Sequence, residues 1–475
     1  EMGIKEKSGF VEAVGWTRKG HAEILVDPFD LETPETCYLK AVQLMDELNV
    51  SRAKAEPYMG LSILKSRQGR VQEAISYGEQ GLRETIKSND YWLSAYILLG
   101  LTIVYFENDL LEKAVLTSHE ANDFFTSNGD VYGEMISNYW LMCMYYRLLE
   151  DAAFIDHAQR FVEICLRHDL LFFLQNKTVF GPVDLQMIYP VIQKACELLP
   201  SNSQVQVLAN RLNIKPHITY PGYQLKLQLL GPFSLFMGNQ EINERKWQRD
   251  KSKELLTYLY LQKNRFVPKE ELMRALWEES DEKTMNRDFK VALNSLLKVL
   301  EPNRIAREES YFIIRKQSMY RLNPDAIIES DLEAFQTCVE KGLEEKDPHG
   351  CKELLLKAVK AYKGELLEDK STIDWISHER EKAQQQYVMA LERLAQTYTR
   401  LKEFEKTIFY AQKLLKIEST WEEAYRLMMY AFYQQQNRTQ AVKWYERCVA
   451  VLDAELNIEP MNTTIQMYEM IKSYG

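Results

Sequence analysis

No stretch of this 475-residue chain approaches the roughly 18 consecutive apolar residues that a membrane-spanning helix needs, so a membrane is not an expected partner. Paired cysteines are also missing. Cys37, Cys143, Cys165, Cys196, Cys338, Cys351 and Cys448 are scattered, odd in number and never spaced C-x-x-C. That excludes a disulfide scaffold or zinc ribbon and points to a reducing cytoplasm, with most thiols acting as small core residues. The seven histidines form no H-E-x-x-H, and no G-x-x-x-x-G-K-[ST] loop is present. With no nucleophile motif or metal set, neither an enzyme nor a cofactor is expected; catalysis would need a triad assembled from distant residues. Overall basic charge is lacking too, since the net charge is −10. The chain does not begin with Met, which suggests a fragment of a longer polypeptide. Its short, mixed-charge start is not a signal peptide.

What the chain has is 46% apolar residues over a length that calls for several domains. Gly20, Gly60 and Gly100 recur every 40 residues, Trp140 takes the next slot, and Ala74 and Ala114 repeat the spacing. Periods of this length indicate stacked helical hairpins, with a small residue where two helices approach. Gly69-Arg70 and Asn108-Asp109 fall at the expected turns. We read helical repeats over 1–171, then a helical end and linker over 172–222, closed by Pro216, Pro221 and Gly222.

The pattern then changes. Leu225, Leu227 and Leu229 alternate with polar residues, and Gly238-Asn239 marks a hairpin. Three helices are predicted over 251–261, 270–277 and 284–300, with strands after them at 311–314 and 319–322 around Lys316-Gln317-Ser318. Strands, three helices and a hairpin are the order of an OmpR-type winged helix, placed at 223–325. The stretch 224–325 is net basic although the chain is acidic, which is a possible nucleic-acid footprint. From 326 to 475 the chain is helical again with a period of 34, the length of a tetratricopeptide unit: Tyr398 maps to Phe432, Thr407 to Ala441 and Tyr410 to Trp444. The expected fold is therefore mainly α: a TPR-like array, a winged helix-turn-helix with small β-sheets, and a second TPR-like all-α domain.

The third central helix has two stripes. Phe289, Leu293, Leu296 and Leu300 share one side and are expected in the core. Arg287, Lys290, Asn294 and Lys298 line another, with Val291 beside them. Arg and Lys can donate to guanine O6 and N7, Asn can pair with adenine, and Val291 can touch a thymine methyl. A solvated basic face has the same pattern; its place just before a basic hairpin favours the major groove. Arg315, Lys316 and Arg321 on that hairpin suit phosphates or the minor groove, although charges also protect sheet edges. Lys251 and Lys253, at the start of the first helix, could meet phosphates or simply water. On the N-terminal repeats, Tyr91, Trp92, Tyr96, Tyr105 and Phe106 supply rings for an effector surface or for the core.

These residues resemble a known family. Leu229-Leu230-Gly231-Pro232-Phe233, and Trp247-Gln248-Arg249 through Lys253-Glu254-Leu255-Leu256, look like the opening of the DNA-binding domain of Streptomyces antibiotic regulatory proteins. Ala361-Tyr362-Lys363-Gly364-Glu365-Leu366-Leu367, Trp375, Glu379-Arg380, Glu423-Ala424-Tyr425-Arg426 and Trp444-Tyr445-Glu446-Arg447 look like the bacterial transcriptional activation domain that comes next in that family. Gly15-Trp16-Thr17-Arg18-Lys19-Gly20-His21 resembles the repeats of MalT-like regulators, which a signal-transducing ATPase commonly precedes. The resemblance implies a sequence-specific transcriptional activator that binds double-stranded promoter DNA and contacts RNA polymerase. Its repeats would receive an effector ligand or protein, or support a homo-oligomer. One departure stands out: Leu297 occupies a position where the family's third helix often carries a cation, which removes a phosphate contact. It favours the alternative, a protein-interaction scaffold whose winged helix no longer binds DNA.

Overall fold

The computed structural model describes residues 8–26, 31–247, 249–278, 280–305, 308–370 and 374–473. Gln248 of the Trp247–Arg249 motif lies outside them. The fold is mainly helical, with stacked helix pairs, small sheets in mid-chain and a helical C-terminal part. The chain forms two compact units that interleave in sequence. The first comprises Glu1–Gln224, Gln262–Phe266 and Leu296–Ala326; the second comprises Leu225–Leu261, Val267–Ser295 and Ile327–Gly475.

In the first unit the helix pairs are α1 (Gly9–Val26) with α2 (Glu32–Glu47), α3 (Ala55–Arg67) with α4 (Val71–Lys87), α5 (Tyr91–Glu107) with α6 (Leu111–Asn128), and α7 (Val131–Leu148) with α8 (Asp151–Arg167). The chain reverses through a left-handed residue every twenty positions: Asn49, Gly69, Asn89, Asp109, Gly129, Leu149 and Asp169 all have φ between 52° and 74°. Gly, Asn and Asp tolerate that conformation, which explains most of the set; Leu149 does not. The 40-residue glycines mark close approaches. A Cβ on Gly60 would sit 2.3 Å from Tyr38 Cζ, and one on Gly20 2.6 Å from Tyr38 Cε1, so a single buried ring occupies the space of both. Trp140 breaks the glycine series: its ring is buried in a contact of its own, with Nε1 donating to Phe180 O at 2.9 Å. Ala74, Ala114 and Phe154, again 40 apart, are all buried. After α8 come a short turn of helix α9 (Phe172–Gln175), α10 (Ile188–Leu198) and α11 (Ser203–Arg211), which join the same continuous apolar core.

The segments 262–266 and 296–326 are part of this unit, and the second of them is bonded to its helices. Gln186 Nε2 reaches the Tyr311 hydroxyl, and also donates to Asp325 O at 3.3 Å. The Tyr220 and Tyr311 rings lie 5.1 Å apart, and Asn213 Nδ2 donates to Asp325 Oδ2 at 3.2 Å.

In the second unit β1 (Leu225–Gln228) lies inside a four-stranded sheet. It pairs antiparallel with β2 (Ser234–Met237), which pairs with β3 (Gln240–Glu241). On its other edge it pairs parallel with β6 (Ile328–Ser330), the last strand in chain order. The alternation read from Leu225 to Leu229 holds only in part. Lys226 is 5% exposed and its neighbours Leu225 and Leu227 are buried, so both faces of the sheet are covered here. The Lys226 Nζ still finds Asn239 Oδ1 at 3.2 Å. Gly238 takes a positive φ of 59° in the two-residue hairpin between β2 and β3.

Beyond β6 lie the C-terminal helices α15 (Asp331–Glu344), α16 (Pro348–Ala361), α17 (Ser377–Arg400), α18 (Phe404–Leu415), α19 (Glu422–Gln434), α20 (Arg438–Leu456) and α21 (Asn462–Ser473). Lys402 and Gln436, 34 residues apart, both turn with φ of 60°. Two family-like segments that are distant in sequence meet here. Gly231 N donates to Glu365 O at 2.9 Å and Leu367 N to Leu229 O at 2.8 Å. Gly231 has φ of 99°, which calls for glycine, and a Cβ on Gly364 would be crowded by the Gly231 Cα at 3.1 Å. Asp331, the first residue of α15, locks the same junction: its carboxylate accepts from Leu229 N at 2.7 Å, Leu230 N at 3.1 Å and Leu332 N at 2.8 Å.

Candidate nucleic-acid interface

Helix α12 spans Asp250–Leu261, α13 spans Lys269–Leu276 and α14 spans Glu282–Leu300. Asp281 starts α14: its carboxylate accepts from the backbone N–H of Lys283 at 3.0 Å and of Thr284 at 3.1 Å, and from Thr284 Oγ1 at 2.7 Å. Such a cap satisfies donors that the first turn leaves open and favours the ionised form. The Thr284 hydrogen bonds accordingly hold the Asp281 carboxyl below its ordinary range.

The inner face of α14 is set by packing. Phe289, Ala292, Leu296, Val299 and Leu300 are buried. Leu293, expected among them, is only half-buried. At about 100° per residue Leu293 and Val299 lie about 60° to either side of Leu296, and the buried face leans to the Val299 side, where Ala292 and Ser295 are buried too. Trp277 meets Phe289 edge to face at 6.4 Å, Lys269 Nζ lies 5.6 Å from the Phe289 ring, and Ser252 Oγ donates to Ala292 O at 3.1 Å. These contacts fix the rotation of the helix, so its opposite face is determined as well.

That opposite face carries Arg287, Lys290, Val291, Asn294 and Lys298. Arg287, Lys290, Val291, Asn294 and Lys298 are all exposed. Val291 is 39% exposed. Lys290, Asn294 and Lys298 make no hydrogen bond or ion pair among the described residues. Arg287 Nε donates to its neighbour Asp288 Oδ1 at 2.9 Å. Lys283 is exposed one turn before Arg287 and extends the stripe. The sequence reading started this helix at Thr284 and so missed it; its spacing of four from Arg287 was the available signal. Leu297 is half-buried, at the margin of the stripe.

The hairpin consists of β4 (Ile313–Lys316) and β5 (Met319–Leu322), paired from Ile313 with Leu322 to Lys316 with Met319. Its strand starts two residues later than expected, because Tyr311 and Phe312 are buried packing residues before the ladder. Gln317, at the tip, turns with φ of 56°. The three cations are not equivalent. Lys316 is exposed and makes no hydrogen bond or ion pair among the described residues. Arg315 is exposed, donates from Nε to Gln317 O at 2.9 Å and lies 5.9 Å from the Tyr320 ring. Arg321 is half-buried: its Nε donates to Lys263 O at 3.0 Å and its guanidinium sits 5.8 Å from the Phe266 ring. It braces the base of the hairpin.

Lys253 is likewise structural. It is 5% exposed, pairs with Glu244 at 2.6 Å and lies against the Phe233 and Trp247 rings. Lys251 pairs with Glu254 at 2.7 Å. Of the N-terminal rings, Tyr105 and Phe106 are core, while Tyr91 and Trp92 are more than half exposed. Trp92, Tyr96 and Phe180 line a small hollow with Arg18, His21 and Glu56. Among the described residues no group of three His, Cys, Asp or Glu is placed to hold a metal, and no helix is long and apolar enough to cross a membrane.

No curated protein sequence matches the chain. Among solved structures, Mycobacterium tuberculosis EmbR in complex with a low-affinity phosphopeptide is similar at 20% identity and a TM-score of 0.46; the alignment spans 53% of this chain and 65% of that one. The TPR domain of P58(IPK) aligns over 98% of this chain and 97% of its own at 9% identity and a TM-score of 0.21. The APC/C hetero-tetramer Cut9-Hcn1 aligns over 99% and 94% at 11% identity and 0.19. The family comparison is confined to the C-terminal helices: residues 330–472, opening at Ser330 and Asp331, match the bacterial transcriptional activator domain.

Proposed function

We propose that this chain is a sequence-specific DNA-binding transcription regulator, with α14 as the helix that reads the major groove. The observation that carries the proposal is the outer face of α14. Two unpaired lysines, an unpaired asparagine, an arginine and an exposed valine lie on one side of a helix whose other side is fixed in a core. That is the set of donors and apolar contacts that base edges in the major groove can use. The neighbouring match to an activator domain supplies the context. In this reading Arg287, Lys290, Val291 and Asn294 meet bases, while Lys298, Arg315 and Lys316 hold phosphates. Arg321 does so with the guanidinium nitrogens left over from its bond to Lys263.

The functional division we propose is repeats at 1–171, a linker at 172–222, the winged helix at 223–325 and an activation domain at 326–475 that contacts RNA polymerase. The repeats receive the controlling signal. Gel shifts of promoter fragments across a salt series test the proposal. Specific binding with a steep salt dependence is expected. Salt-insensitive or absent binding by the folded chain would leave the scaffold reading instead.

A further inference from the structure

The first unit contains a cavity of about 400 Å³, within the range of about 300–1,000 Å³ typical of small-molecule sites. Phe106, Val191 and Pro221 form apolar wall, and Arg147, Glu301 and Arg304 supply charge. Arg304 Nε lies 3.3 Å from Glu301 Oε2, so these two groups neutralise one another. The other Glu301 oxygen accepts from Ser310 Oγ at 2.6 Å and Phe312 N at 2.9 Å. Arg147 is the lining charge with no opposite charge of its own within the lining; its Nη1 donates to Phe106 O at 3.3 Å. Its guanidinium lies 4.8 Å from the Phe106 ring and its ion-pair partner, Asp109, is 77% exposed, where water screens the pair. An apolar chamber with one excess guanidinium, itself seated on an aromatic ring, suits a ligand with a flat apolar body and a single negative charge.

We propose that this cavity binds a small amphipathic monoanion, and that its occupancy is felt at the end of α14. The second half rests on the effector reading of the repeats; the first does not. The floor of the cavity is formed where α14 ends, by Glu301, Asn303 and Arg304. Tyr223, on the wall, donates its hydroxyl to Leu300 O at 2.6 Å. Glu301 is bonded in turn to Phe312, at the base of the β4–β5 hairpin. A ligand held between Arg147 and this floor therefore touches groups bonded both to the proposed reading helix and to the hairpin. No sequence motif hints at the site, because its walls come from segments near residues 106, 147, 191, 221 and 301.

The test uses the full chain without DNA, with anilinonaphthalene sulfonate as the probe and the uncharged phenylnaphthylamine as its control. Isothermal titration is expected to show one saturable site for the sulfonate, with the neutral compound binding about tenfold or more weaker, as loss of a charge-assisted contact implies. Arg147→Gln should reduce sulfonate affinity to that of the neutral compound. Asn303→Trp, at an exposed position on the cavity rim, should abolish binding of both while leaving the thermal midpoint unchanged. Bound sulfonate should slow amide exchange at Glu301, Asn303, Arg304 and Phe312, and leave α18 unaffected. No saturable site, equal affinity for the neutral probe, or wild-type binding by Asn303→Trp overturns the site. Binding without altered exchange at Glu301, Asn303, Arg304 and Phe312 overturns the coupling to α14. Neither outcome depends on whether the chain binds DNA.

Discussion

Asp331→Ala tests the junction on which the C-terminal helices are mounted. The wild-type carboxylate accepts from two backbone N–H groups at the end of β1 and one in its own helix. Removing it strands the Leu229 and Leu230 donors in a buried site, at about 1–3 kcal/mol each. Burial also acts on the carboxylate itself, pushing its pKa from 3.8 up to about 6, while the three N–H groups keep it from rising further. The native state thus holds the proton more tightly than the unfolded chain. Stability from this group is full below about pH 4 and is lost as pH rises through 6. At 1.36 kcal/mol per unit the whole shift amounts to about 3 kcal/mol, of which about 2 kcal/mol falls between pH 4.5 and 7.5. Alanine removes the hydrogen bonds and the titration together. The variant should therefore be destabilised by about 2 kcal/mol more at pH 4.5 than at pH 7.5. Native-state hydrogen exchange over 225–235 at the two pH values reads this opening energy directly. An equal effect at both values, or a larger one at pH 7.5, would mean that the N–H groups outweigh burial, and the reasoning fails.

Asn294→Ala should cost about 1–3 kcal/mol on the cognate operator and relax preference at one base, whereas Lys316→Ala should weaken all sequences alike and lower the salt slope by about one; gel shifts over a salt series, with circular dichroism to check the fold, separate the two. Gly60→Ala places a Cβ against the rigid Tyr38 ring and should cost about 1–3 kcal/mol in thermal unfolding. Gly100→Ala should cost less, because the atom it meets at 2.8 Å belongs to the flexible Met59 side chain. Leu149 is 83% exposed and turns with φ of 59°, so Leu149→Asn should stabilise the fold by up to about 1 kcal/mol of relieved strain and raise the melting temperature accordingly; an unchanged or lower midpoint would count against it.

Much of the architecture is local and was readable in the residues. The 40-residue glycine series, the turn residues at Gly69 and Asp109, the hairpin at Gly238 and the 34-residue period near Tyr398 each reflect a constraint acting within a few residues or along one helix face. The stripe from Arg287 to Lys298 was readable for the same reason: helical geometry places those side chains together whatever surrounds them. What each cation does depended on residues far away in the chain. Arg321 and Lys253 looked like Lys316 in sequence, but a carbonyl at Lys263 holds one and a carboxylate at Glu244 the other. The meeting of Leu229–Gly231 with Glu365–Leu367 and Asp331, and the chamber around Arg147, arise from contacts between segments far apart in the chain. Composition and period cannot encode such contacts, because which distant groups become neighbours is decided only when the elements pack.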